Sequence, residues 1–183
     1  YTQGNTLAQP DALPIFPAPV GGLHPAQPVW STGVSPNARL IATGGTDSKI
    51  RLWDVSEPQA PTVLGEPLSA GGIVTSVGFT PDGALLASGD TLGQIRRGDL
   101  ADPARATAYG LPLTGHNGTV WALWFSSQGE MITGGDDGTV RLWQTDPSRV
   151  HGILCASTRT AMTPSLWKEY VSPALSYDPP CGG

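Results

Sequence analysis

A chain of 183 residues is long enough for one sizeable core or for a piece of something larger. Lys and Arg number 10 against 15 Asp and Glu, and the formal charge of -5 argues against phosphate-backbone binding by this segment. Charged residues are only 14% of the chain while 24 are Gly and 18 are Pro, a composition that favours many turns over long helices. No run approaches the roughly 18 consecutive apolar residues of a membrane-spanning helix, so a soluble, cytoplasmic piece is expected. With Tyr1 first and no charged-then-apolar leader, the natural N-terminus is expected upstream.

From the N-terminus, residues 1–27 hold "LAQPDALPIFPAPVGGLH", a proline-rich phrase with a short apolar run. Three similar segments follow. "VWSTGVSPNARLIATGGTDSKIRLWDV" begins at Val29, "VTSVGFTPDGALLASGDTLGQIRRGDL" 45 residues later at Val74, and "VWALWFSSQGEMITGGDDGTVRLWQT" 46 after that at Val120. A fixed period in this range signals a repeat architecture. The copies span about 28–72, 73–118 and 119–146.

Within each copy three runs have strand character, separated by Ser35-Pro36-Asn37, Pro81-Asp82-Gly83, Gln128-Gly129 and Asp137-Gly138, residues suited to tight hairpins. Between copies, "VSEPQAPTVLGEPL" and "LADPARATAYGLPLTGH" each offer an outer fourth strand, where proline is tolerated because an edge strand spares a ladder donor. The reading is all-β, in antiparallel four-stranded units. Asn117-Gly118-Thr119 matches a glycosylation sequon but sits at a predicted turn, and the turn reading is preferred. After Trp143, Asp146-Pro147 and Thr163-Pro164 are helix-start signals, so residues 147–183 are expected to form a tail with two short helices and a proline-rich end.

Units of about 45 residues, a Gly115-His116 dipeptide and a strand ending Trp53-Asp54 resemble WD repeats, the four-stranded blades of β-propellers. The proline-containing interblade phrase, and the tail with its final Tyr177-Asp178-Pro179-Pro180-Cys181, are most similar to large actinobacterial-type WD-repeat regulators, in which a propeller follows a signalling or nucleotide-hydrolysing domain. The resemblance implies a β-propeller segment of about three blades with a short helical C-terminal tail. Three blades cannot close a ring, so the rest of the protein's own chain is expected to complete it.

The family's blades carry a hydrogen-bonded set of His, Ser or Thr, Asp and Trp. Matched by position, the third copy supplies His116, Thr133, Asp137 and Trp143, and the first His24, Thr43, Asp47 and Trp53, with Thr to Asp four residues and Asp to Trp six in both. Asp136, aligned with Thr46 and Thr91, is read as a solvated neighbour. The middle copy keeps Ser88 but has Leu92 for Asp, Gly98 for Trp, Arg97 for the usual Leu and no His before Val74; it is expected to lack the polar set and to open most easily. A catalytic His116–Asp137 dyad is disfavoured, because no nucleophile accompanies it and the pairing recurs in two copies.

Trp30, Trp121 and Trp124 lie in or beside first strands and serve either blade packing or partner contact. Trp124, where the other copies have Gly33 and Gly78, is the strongest candidate for contact. Phosphate-loop, metalloprotease, nucleophile-elbow and paired-cysteine zinc patterns are absent, so no cofactor, metal or catalytic residue is assigned. Cys155 and Cys181 are a candidate thiol pair if the tail folds back. The leading function is a non-catalytic scaffold for a protein or peptide partner, the C-terminal portion of a bacterial signalling or regulatory protein. The alternatives are a propeller enzyme using rim carboxylates such as Asp82, Asp90, Glu130 and Asp136, or a homo-assembly module.

Overall fold

Three hairpin turns repeat one backbone solution. Ser35, Thr80 and Ser126 each accept, through their carbonyl, the N–H of the residue three ahead (Ala38, Gly83 and Gly129; 2.8, 2.8 and 3.0 Å), and that residue has positive φ (55°, 72° and 84°). Glycine meets this demand in two copies without a Cβ penalty; Ala38 meets it with one. The second hairpin repeats the contrast, with Gly93 and Gly138 at φ 75° and 70° but Ser48 at 57° in the first copy.

The computed structural model describes residues 21–145 and 149–150. The preceding segment, the predicted tail helices, Cys155 and Cys181 lie outside the described residues, save Arg149 and Val150, which are helical. The first sheet is a meander of β1 (Val29–Val34), β2 (Leu40–Gly45), β3 (Lys49–Asp54) and β4 (Thr62–Ser69). The second comprises β5 (Val74–Phe79), β6 (Leu85–Asp90), β7 (Ile95–Asp99) and the short β8 (Thr107–Ala108), reached through a single 3-10 turn, Pro103–Arg105. The third has β9 (Val120–Phe125), β10 (Met131–Gly135) and β11 (Val140–Trp143), and among the described residues no fourth strand pairs with β11. All pairings are antiparallel, and each first strand carries a bulge at the same place, at Trp30, Thr75 and Trp121.

The sheets stack face to face, with the first strands in contact, so the apolar core lies between blades rather than within them. Ala42, Ile50 and Leu52 of the first blade meet Val74, Val77, Phe79 and Leu86 of the second. Ala87 and Ile95 of the second meet Val120, Phe125 and Met131 of the third. Ser31 Oγ accepts the Val77 N–H at 2.9 Å, and the Thr75 hydroxyl donates to the Val120 carbonyl, so polar bonds also cross both interfaces. Glycines set the spacing: a Cβ on Gly33 would lie 3.2 Å from the Val77 carbonyl oxygen, and one on Gly78 3.1 Å from Leu123 Cδ2.

The third blade's corresponding face is bare. Val140 and Leu142 are 78% and 66% exposed, whereas their counterparts Ile50, Leu52 and Ile95 are 0–3% exposed under a following blade. Trp124 stands 72% exposed on this same face, paired with Ile132 of β10, which pairs in turn with Leu142.

The burial pattern runs against the expectation that the middle blade opens most easily, and hydrogen exchange tests the two orders. Covered on both faces, its β5 and β6 are almost wholly buried, while β11 alternates exposed and half-buried residues at an open edge.

Candidate functional site

In the third blade four side chains form one continuous chain of hydrogen bonds. The loop before β9 places His116 beneath the hairpin joining β10 to β11, with the imidazole side chain 0% exposed. Its Nδ1 lies 3.1 and 3.0 Å from the two Asp137 oxygens. A carboxylate only accepts, so in the neutral imidazole the proton sits on Nδ1, and Nε2 then accepts from the Thr133 hydroxyl at 2.7 Å. Thr133 Oγ1 in turn accepts the Trp143 indole N–H at 2.8 Å. Every buried donor and acceptor in the chain is satisfied, which makes burial of an imidazole and a hydroxyl affordable.

Asp137 also ties the loops to the hairpin. It accepts the Thr139 hydroxyl at 2.7 Å and the backbone N–H groups of Thr139 and Asn117, each at 3.0 Å. Chiefly the Thr139 hydroxyl, then these N–H groups and His116, hold its carboxyl well below the usual range of its kind, against the opposing effect of burial.

The order Thr, His, Asp matches the connectivity of a nucleophile triad, but its accessibility does not. Thr133 is 1% exposed and its oxygen is already engaged by an indole, so no substrate reaches it.

The first blade forms part of this arrangement. Trp53 Nε1 donates to Thr43 Oγ1 at 2.9 Å, as in the third blade. His24 does not join: it is exposed in the coil before β1, and no hydrogen bond links it to Thr43 or Asp47. Five residues, two of them proline, separate it from Trp30, and the phrase is one residue longer than its counterpart after His116. Asp47 instead pairs with Arg51 at 2.7 Å, the contact that chiefly lowers its pKa, and accepts the Lys49 N–H at 3.2 Å.

The middle blade lacks the His, Asp and Trp of the set but is not without a tether. Asp90, two residues before Leu92 and wholly buried, accepts the N–H groups of Leu92 and Gln94 through Oδ1 (2.9 and 3.0 Å) and of Gly72 through Oδ2 (3.1 Å). It holds loop to hairpin as Asp137 does. Position-matched reading missed it, because the other copies have Gly45 and Gly135 there; the acid standing for a glycine was the available signal. Leu92 points out, 61% exposed.

The rim carboxylates do not gather. Asp82 accepts from Thr80 and Ala84 within its own turn, Glu130 from Ser126, and Asp136 from the Trp121 indole. Asp136 is exposed yet bonded, and Trp121 is held by it. Among the described residues no three His, Cys, Asp or Glu side chains cluster as metal ligands would. No helix among them is long and apolar enough to cross a membrane. Trp30 and Trp121, 51% and 54% exposed, occupy equivalent bulges of β1 and β9, and Thr75 is their counterpart between them.

A family model for the WD domain, G-beta repeat, matches residues 20–54, 64–96 and 110–144, more than half of the chain. No curated protein matches the chain. Repeats of this family are in general non-catalytic and mediate contacts between proteins. With three meander sheets stacked through glycine-lined inner strands, and three repeats matched in register with them, the chain belongs to the WD-repeat family.

Proposed function

We propose that this chain is a protein-interaction scaffold without chemistry of its own, the C-terminal WD-repeat portion of a larger cytoplasmic bacterial signalling or regulatory protein. One observation carries the binding role. Indoles project at two equivalent bulges, Trp30 and Trp121, each about half exposed, though Thr75 at the same place satisfies the fold with a small buried side chain. Exposed Trp supplies large contact area at low entropic cost and is enriched at interface hot spots. Trp124 belongs to a different surface. The bare face it shares with Val140 and Leu142 supports completion of the propeller by the rest of the protein's own chain, and the regulator assignment rests on the tail and interblade residues.

The test is site-specific photo-crosslinking from position 30 or 121 in the producing cell, with position 63 on the outer strand as control. Crosslinks to one defined protein from 30 and 121 but not from 63 are expected; equal yields from all three positions refute the assignment. Homo-assembly is the second reading, favoured by the same bare face. Gel filtration across a concentration series separates the two: a mass that stays monomeric at every concentration eliminates homo-assembly.

A further inference from the structure

The middle blade's missing tryptophan leaves space with a particular chemistry. Where Trp53 and Trp143 fill their blades and donate to a threonine hydroxyl, the second blade has Gly98 and a buried Ser88. Leu68 of the first blade takes part of the room, since a Cβ on Gly98 would lie 2.6 Å from its Cδ1. The remainder is a cavity of about 40 Å³ between the first two blades, lined by Ile50, Leu68, Leu86, Ser88 and Arg96, with the exposed Ala108 and Gly110 also at its wall.

Arg96 is the residue left over by the other departure. Its counterparts Arg51 and Arg141 reach Asp47 and Asp137 at 2.7 and 3.8 Å, but Leu92 stands where Arg96 would find its acid. Among the described residues Arg96 makes no ion pair; Nη2 donates to Gln94 Oε1 at 3.2 Å, and Nε, like that of Arg141, is buried without a partner. Arg97 also borders the cavity, its guanidinium 5.1 Å over the Tyr109 ring and its Nε likewise buried without a partner. Lys49 Nζ donates to Ser69 at the cavity wall. No lining residue is acidic, although the chain as a whole is.

We propose that this cavity is a binding site for a carboxylate, presented by a small organic acid or by an Asp or Glu side chain of a partner. The space is that of a few water molecules, enough for a flat carboxylate but not for a ring. The ligand would accept from the Arg96 guanidinium, and the Ser88 hydroxyl would donate to it, so one group supplies both the carboxylate and the acceptor that the blade has lost. The site is independent of the tryptophan surface.

The experiment is NMR titration of the ¹⁵N-labelled chain with sodium acetate at constant ionic strength, following the Ser88 and Gly98 amides and the Arg96 Nε–H signal. A second arm uses a capped Gly-Glu-Gly peptide. Saturable shifts at these groups are expected, with Kd raised about tenfold or more by Arg96→Gln, raised less by Ser88→Ala, and unchanged by Arg51→Gln. Tighter binding of the peptide than of acetate points to a partner side chain, and equal binding to a free acid. Linear, unsaturated shifts overturn the proposal, as does a Kd that Arg96→Gln leaves unchanged. Inorganic phosphate binding more tightly than acetate overturns the carboxylate assignment.

Discussion

Replacing Thr133 by Val removes one hydroxyl and leaves the shape of the side chain nearly unchanged. Two groups lose their partner at once: the Trp143 indole N–H at 2.8 Å and the His116 Nε2 at 2.7 Å. Water cannot replace the hydroxyl easily, because Thr133 is 1% exposed and the imidazole side chain is 0% exposed. A buried polar group left without a partner costs about 1–3 kcal/mol, so with two such groups Thr133→Val should destabilise by about 2–6 kcal/mol. The first blade provides the internal control. Thr43→Val orphans only the Trp53 indole, since His24 lies outside that set, and should cost about half as much, about 1–3 kcal/mol. Urea unfolding followed by tryptophan fluorescence measures both, compared through the midpoint at unchanged slope. Thr133→Ser, which keeps the hydroxyl, should recover most of the loss. If Thr133→Val costs no more than Thr43→Val, the imidazole arm of the chain contributes nothing and the reasoning fails.

Acid lability should track Asp137. Its folded pKa lies below the ordinary value of 3.8, so the unfolded chain binds more protons as pH falls through that value, and the stabilisation present above it is lost. Asp137→Asn should therefore flatten the loss of stability between pH 5 and pH 2; an unaltered slope contradicts the linkage. Ala38→Gly and Ser48→Gly should each add up to about 1 kcal/mol of stability after the entropy of glycine is deducted, read as a higher urea midpoint, because both residues sit at positive φ where the other blades use glycine. A lower midpoint for both would show that strain at these turns is negligible. Amide hydrogen exchange should be slower in β5 and β6 than in β11, and the reverse order would mean that the bare face of the third blade is covered in solution. Leu142→Glu should abolish any concentration-dependent association through that face while leaving the His116 chain intact, read by gel filtration.

What the amino-acid sequence determined by itself is the local and periodic part. The 45-residue spacing, the hairpin residues and the alternation within each run are properties of short segments, and the strands form where those segments predict them. The His116, Thr133, Asp137 and Trp143 positions were legible because two copies share one spacing, and hydrogen bonds between adjacent strands of a meander depend on little more than register. Contacts between blades, and between loops without a fixed register, belonged to tertiary structure. His24 shares its spacing with the set only loosely, and one added residue in a proline-rich phrase put it in solvent. Asp90 reaches Gly72 across 18 residues of chain from a position where the other copies have glycine, so spacing between copies does not point to it. Trp124 is apolar bulk on a first strand in the sequence, and only the packing of Gly33 and Gly78 against the following blade shows which face it occupies. Exposure of that face, and the cavity beside Arg96, follow from which surfaces a neighbouring blade covers. That is a sum over distant residues, invisible to any window along the chain.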